Sequence, residues 1–286
     1  MNKYSAYLTL YTSVFLLGLN GLFSNGLNID ATSLSHMRSV IAGITLVAFI
    51  YCSKNLYCLG NKRDYYIVYS LGGLLGLHWV TYFYAMQTAS VAIGMLALYT
   101  YPIITILIEP FFARKKIQHL DILLAILVLI GLLIIVSDHI SNSTNGVVIG
   151  VISGIVSAIF FALRNVSQKY YCSGIGSDTL MLHQLLTVVL MLTPFINTKA
   201  LLALPNIEWG YIILLGVFTT ALAHTLLVKS YKIFPAKTVA MVCCLQPVLG
   251  GIFAWIILGE EMTISTIIGG SIILGVATYE SAKASL

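Results

Sequence analysis

His78 and Tyr82 stand four residues apart in an apolar stretch, LHWVTYFYAMQTASVAIGMLALYTYPIITILIEP (77–110), and Tyr99 and Tyr101 follow within it. Four-residue spacing on a helix puts His78 and Tyr82 on one face. An imidazole, phenols and the amide of Gln246 can hold a small solute through a few hydrogen bonds and aromatic walls. Arg38 adds a cation able to attract a carboxylate. These six residues, Arg38, His78, Tyr82, Tyr99, Tyr101 and Gln246, are the expected solute contacts. The plainer alternative for any single tyrosine is that it packs and satisfies a neighbour. Trp79 and Tyr84 are expected to face lipid or an adjoining helix. Other chemistry is not written here. There is no GxxxxGK[ST] phosphate loop, no HExxH, no metal-spaced His/Cys cluster, and no nucleophile–base pair or paired acids at mid-depth. No catalytic residue, metal or cofactor is therefore expected, and an enzyme is disfavoured.

What must position these groups follows from composition. The 286 residues are 59% hydrophobic and 9% charged, against about 25% charged in a soluble domain. That balance describes an all-α polytopic membrane protein whose main partner is the lipid bilayer. The net charge of +5 is no sign of nucleic acid, because the charges sit between apolar segments. A crossing helix needs about 20 apolar residues. Cutting the chain at charged or turn-rich breaks gives ten such segments: 4–27, 33–53, 65–87, 91–112, 120–137, 146–169, 178–197, 208–230, 236–258 and 262–282. The first reads as a span, since no small-residue cleavage site follows its apolar run. The five cysteines, Cys52, Cys58, Cys172, Cys243 and Cys244, read as free thiols.

Lys and Arg set the orientation. With the N-terminus inside, Lys3, Lys54, Lys62, Arg63, Arg114, Lys115, Lys116, Lys169, Lys229, Lys232, Lys237 and Lys283 all fall on the cytoplasmic side, leaving only Lys199 outside. Both termini are thus expected to be cytoplasmic. A shift of 145 residues, the spacing of Pro102 and Pro247, also matches Phe15 with Phe160, Asn20 with Asn165, Tyr66 with Tyr211, Ile67 with Ile212, Leu77 with Leu222 and Leu129 with Leu274. The same shift superposes all five expected spans of each half. Five is odd, so the second copy runs upside down, an inverted repeat over 4–137 and 146–282.

The segment Pro102–Ile117 and its second copy QPVLGGIFAWIILGEEMT (246–263), each followed by a glycine-dotted last helix, carry a family resemblance. FYAMQTASVAIGML (83–96) and LGLNGLFS (17–24) add to it. The chain resembles a ten-helix member of the drug/metabolite transporter superfamily, of the EamA type. The resemblance spans the whole chain and implies a secondary transporter. It is weak for substrate. The family usually has an acid at the end of the proline helix in each half; Glu260 and Glu261 fit in the second copy, but the first has Lys115 and Lys116.

Pro102 and Pro247 lie about 15–18 Å deep at 1.5 Å per residue, and mid-helix prolines bend a helix. They read as paired hinges, or as tolerated kinks. Arg164 lies about 8 Å from the inner end of its span and is expected to snorkel. The family tends to carry arginine in the second helix, where Arg38 lies, and its repeat partner is His183. Glu109 reads as part of a local ion pair beside Arg114 and Lys115. If transport is proton-linked, His78, His183, His224 and Glu109 are the candidate carriers. Gly72/Gly76 and Gly146/Gly150/Gly154 read as close-packing ridges, and a monomer or weak homodimer is expected. The function these readings imply is secondary transport of a small-molecule metabolite, most readily efflux of an amino acid, an aromatic one first, in a bacterial cytoplasmic (inner) membrane. Uptake of a nucleoside-type amphiphile by the same fold is the alternative.

Overall fold

A computed structural model describes residues 3–20, 27–55, 57–89, 91–137, 146–258 and 263–283. Among them the chain is helical, with no strand. The longer helices are α1 Lys3–Gly18, α2 Ala31–Ser53, α3 Lys62–Thr88, α4 Val91–Leu98, α5 Tyr101–Ala113, α6 His119–Ser137, α7 Val147–Tyr171, α8 Ser177–Leu192, α9 Asn206–Tyr231, α10 Ala236–Cys243, α11 Leu245–Phe253 and α12 Ile264–Lys283, with a short helix at Thr198–Leu202 between α8 and α9. α9 widens into π turns over Leu215–Leu222, and α11 runs into a second π segment, Ala254–Leu258. Caps follow local chemistry. The Asp30 and Asn61 side chains accept from Ser33 N (2.9 Å) and Asp64 N (3.0 Å) at the starts of α2 and α3.

Seven helical runs among the described residues are long and apolar enough to cross a membrane, with the shorter apolar His119–Ile135 beside them. The ten expected segments do not all reach that standard, for physical reasons. α1 has 16 residues, and residues 21–26 of its expected span lie outside the described residues, as do Glu260 and Glu261. α3 has 27 residues, but its tyrosines, His78 and Gln87 dilute its hydropathy.

Both prolines fall where the regular helical hydrogen bonding is interrupted. Pro102 and Pro247 each remove the hydrogen bond to the carbonyl four residues earlier and crowd it. Those residues are Leu98 and Cys243, where α4 and α10 end. The α-helical hydrogen bonding lapses there and resumes at Tyr101 or Leu245, while Thr100 and Cys244 keep right-handed helical dihedrals, so each junction lies inside one longer helical run and each proline stands near the start of its second half. The 145-residue shift carries α4 onto α10, eight residues each.

Packing follows the same shift. α3 lies along α7, and α9 along α1; α4 and α5 lie on α7, and α10 and α11 on α1. The pairs α2–α8 and α6–α12 each join an element to its own counterpart. Small residues permit these approaches. A β-carbon on Gly150 would lie 2.4 Å from that of Ala89, and one on Gly72 would lie 2.6 Å from the Thr187 β-carbon. The glycine ridges are thus used up within the chain.

Candidate functional site

Where the two breaks meet lies a cavity of about 40 Å³, lined by Asn20, Arg38, His78, Trp79, Tyr82, Tyr99, Tyr101, His224 and Gln246, with Leu17, Met95, Leu98 and Phe161 as its apolar wall. All six expected solute contacts are in this lining. The space suffices for a few waters.

The two breaks are tied to one another. Tyr99 Oη donates to Gln246 Oε1 (3.2 Å), and Tyr101 Oη donates to the Ala240 carbonyl (2.9 Å). The proline-directed ends of α4 and α10 therefore place a phenol and an amide in contact across the halves. His78 is tied up. Ser157 Oγ donates to the His78 carbonyl (2.8 Å), and His78 Nδ1 lies 2.7 Å from the same hydroxyl. With the serine proton committed, Nδ1 must be the donor in that contact. The ring also stacks on Phe161 and Tyr82, with centroids 4.4 and 6.1 Å away.

Arg38 is 1% exposed. Its Nε donates to Thr220 Oγ1 (2.8 Å), and its Nη2 to Asn20 Oδ1 (3.3 Å) and Thr219 Oγ1 (3.4 Å). Its guanidinium lies 4.9 Å from the Trp79 ring centroid and 5.4 Å from that of Phe83. Both threonines occupy the π turn of α9, and both donate to the Leu215 carbonyl (2.9 and 2.8 Å). Their protons being spent there, they meet Arg38 as acceptors. Gly216 lets α9 come this close, because a β-carbon there would lie 2.5 Å from Ile41 Cγ2 and 3.2 Å from the Arg38 carbonyl.

Several expectations are corrected by this geometry. Arg164 does not snorkel: it is fully buried, with Nε donating to Gln184 Oε1 (3.0 Å), Nη1 to Asn165 Oδ1 (2.8 Å) and Nη2 to Gln184 and Met181. An arginine in hydrocarbon costs at least about 2.5–3.5 kcal/mol, and here neighbouring acceptors offset that cost in place. Glu109 is not an ion-pair partner of Arg114 or Lys115. It caps α10, accepting from Ala236 N and Lys237 N (both 2.8 Å) and from Tyr170 Oη (3.2 Å). Trp79 does pack on an adjoining helix, buried in the cavity wall with its ring edge-on to His224 at 5.2 Å, and Tyr84 is exposed. His183 lies away from the cavity and contacts the Tyr57 carbonyl (2.8 Å).

Sequence reasoning did not place Asn20, Trp79, Thr219 or Thr220 at the cavity or beside Arg38, and it named His224 only as a candidate proton carrier. The 145-residue shift could have found one, since it carries Trp79 onto His224. It also carries Asn20 onto Asn165, and each accepts from a buried arginine. A second pocket, about 440 Å³, lies at the lysine-rich end beside Glu109, Lys115, Lys116, Asp121, Lys169, Lys237, Glu280 and Lys283. There Asp121 pairs with Lys237 and with Lys283 (3.2 Å).

Seven helical runs of membrane-crossing length and composition among the described residues mark an integral membrane protein. The family description "EamA-like transporter family" matches residues 4–137 and again residues 148–279, and the chain belongs to that family. Among its relatives, the "Uncharacterized transporter YxxF" of Bacillus subtilis (strain 168) is 23% identical over 248 residues, covering 86% of this chain and 79% of the relative. An "Uncharacterized transporter" of Archaeoglobus fulgidus is 24% identical over 273 residues, 92% of this chain and 91% of the relative. A solved structure described only as "Crystal structure of protein" superposes with a TM-score of 0.83 at 17% identity and covers 99% of each chain. That likeness establishes the fold.

Proposed function

We propose that this chain moves a small organic metabolite across the membrane by alternating access, as two inverted five-helix copies, 4–137 and 146–282, with both termini cytoplasmic. The solute is an amino acid, an aromatic one first, and the direction is efflux from a bacterial cytoplasm. The observation that carries the reading is the Tyr99–Gln246 hydrogen bond, which joins the two helix breaks at the cavity. Pairings that exchange under the 145-residue shift support two copies related by a two-fold axis, the arrangement that lets one site face either side in turn. Aromatic walls and a few fixed polar groups suit a solute with an apolar body. The cavity of about 40 Å³ is far below the ~300–1,000 Å³ of ligand sites. Loading therefore requires the half-helices α4, α5, α10 and α11 to part, with Pro102 and Pro247 as hinges.

In liposomes carrying the purified protein, labelled amino acids are expected to equilibrate faster than in empty ones. Flux of a nucleoside with none for any amino acid would instead establish the nucleoside reading. Tyr99→Phe and Gln246→Leu, which keep the packing volume, are expected to reduce flux about tenfold or more, the loss of a positioned solute hydrogen bond, with yield and melting temperature near wild type. Unchanged flux in both variants removes these residues from the solute path.

A further inference from the structure

We propose that the cavity contains an anion subsite, the guanidinium of Arg38 with His224 beside it, and that the solute docks there through a carboxylate. The inference rests on the transport reading and deepens it, naming the group of the solute that is held and the residue that holds it.

Arg38 is buried, lines the cavity, and meets only neutral groups: two threonine hydroxyls, the Asn20 amide and two aromatic faces. Two of its three hydrogen bonds are long, at 3.3 and 3.4 Å. Nη1 makes none with the described residues. Both ion pairs among the described residues belong to Asp121, with Lys237 and Lys283. A buried cation without a counter-charge is unfavourable unless something supplies one, and the open side of this cation is the cavity.

Arg164 is the internal comparison. It is equally buried, but Nε, Nη1 and Nη2 all have partners and it does not line the cavity. One arginine is finished by the protein; the other is left with capacity where a solute would sit.

His224 is the second observation. It follows Thr220 by one helical turn on α9, it is 3% exposed, and its Nδ1 has no hydrogen-bond partner among the described residues. Trp79 touches both it and Arg38, so the guanidinium and the imidazole flank one indole. Arginine can grip a carboxylate with two parallel hydrogen bonds, and His224 stands in the same lining. The remaining lining toward Tyr99, Tyr101 and Phe161 is aromatic and takes the apolar body. No carboxylate lines the cavity among the described residues, so a cationic solute finds no countercharge there.

The test pairs solutes that differ at the carboxyl group: phenylalanine and 3-phenylpropionate against phenylalaninamide, with uridine as the neutral comparison and sodium chloride as the inorganic anion. Melting temperature of the purified protein reads binding, and liposome flux reads transport. Carboxylates are expected to raise the melting temperature of wild type, and Arg38→Met is expected to abolish that rise. The free Arg38→Met protein should melt no lower than wild type, because it loses an uncompensated buried charge. Arg38→Lys keeps the charge without the paired geometry and is expected to weaken carboxylate binding at least about tenfold. It serves where the methionine variant fails to fold. The subsite is overturned if the amide or uridine is bound or carried as well as the carboxylates, if chloride alone gives the shift, or if no Arg38-dependent shift occurs. A carboxylate shift that depends on Arg38, without flux of any solute, upholds the subsite and sinks the transport reading.

Discussion

Arg164 and Gln184 show how a cation is accommodated inside a bundle of apolar helices. Gln184 Oε1 accepts from two guanidinium nitrogens, and its Nε2 donates to Gln168 (3.1 Å), so one amide closes a chain of buried polar groups. Removing it leaves a guanidinium edge with no acceptor, and the desolvation cost of that edge is then uncompensated. Gln184→Leu is accordingly expected to lower stability by about 1–3 kcal/mol, read from denaturant titration in micelles. An unchanged midpoint would mean that water or another group already serves the guanidinium. That Arg164 falls inside a long apolar helix is legible in the sequence. The acceptors on α8 are not, because they come from an element thirteen or more residues away and reach it only through packing. Tyr99 and Gln246 were legible because each lies beside a proline that fixes where its helix stops.

At the scale of elements, the breaks matter more than the lengths. α4 and α10 end at the residues whose carbonyls the prolines leave unbonded, and this can be read from the chain. The π turn of α9 cannot. Nothing in LGVFTTAL (215–222) announces a widened turn, yet it brings consecutive threonines onto Arg38. Gly216 marks the close approach to α2, but a glycine in an apolar segment has many other uses. The hinge role of the prolines is open to test. Replacing both, Pro102→Ala with Pro247→Ala, restores the two missing donors and favours continuous helices, since proline in a helix interior costs about 3 kcal/mol. The double variant is expected to melt at or above the wild-type temperature while its liposome flux falls about tenfold or more, the fall corresponding to roughly 1.4 kcal/mol. Wild-type flux with a higher melting temperature would make the prolines packing features and leave the hinge elsewhere.

For the molecule as a whole, the open matter is which way up it sits, and the cysteines can report it. Cys58 is exposed in the α2–α3 connection, and Cys52 is exposed near the end of α2. Cys172, Cys243 and Cys244 are buried. Burial also pushes the Cys172 thiol up to about 11, so little thiolate forms there at neutral pH, and the thiolate is the reactive form. A Cys52→Ser protein thus presents Cys58 as its one accessible reactive thiol among the described residues. The Lys and Arg distribution places the α2–α3 connection, with Lys54, Lys62 and Arg63, on the cytoplasmic side. A membrane-impermeant maleimide is therefore expected to label Cys52→Ser in inside-out vesicles and not in intact cells, with Cys52→Ser/Cys58→Ser as the unlabelled control. Labelling of intact cells would invert the molecule. The 440 Å³ pocket around Asp121, Lys237 and Lys283 would then open outward, and Lys115 and Lys116 would lie outside against the positive-inside bias.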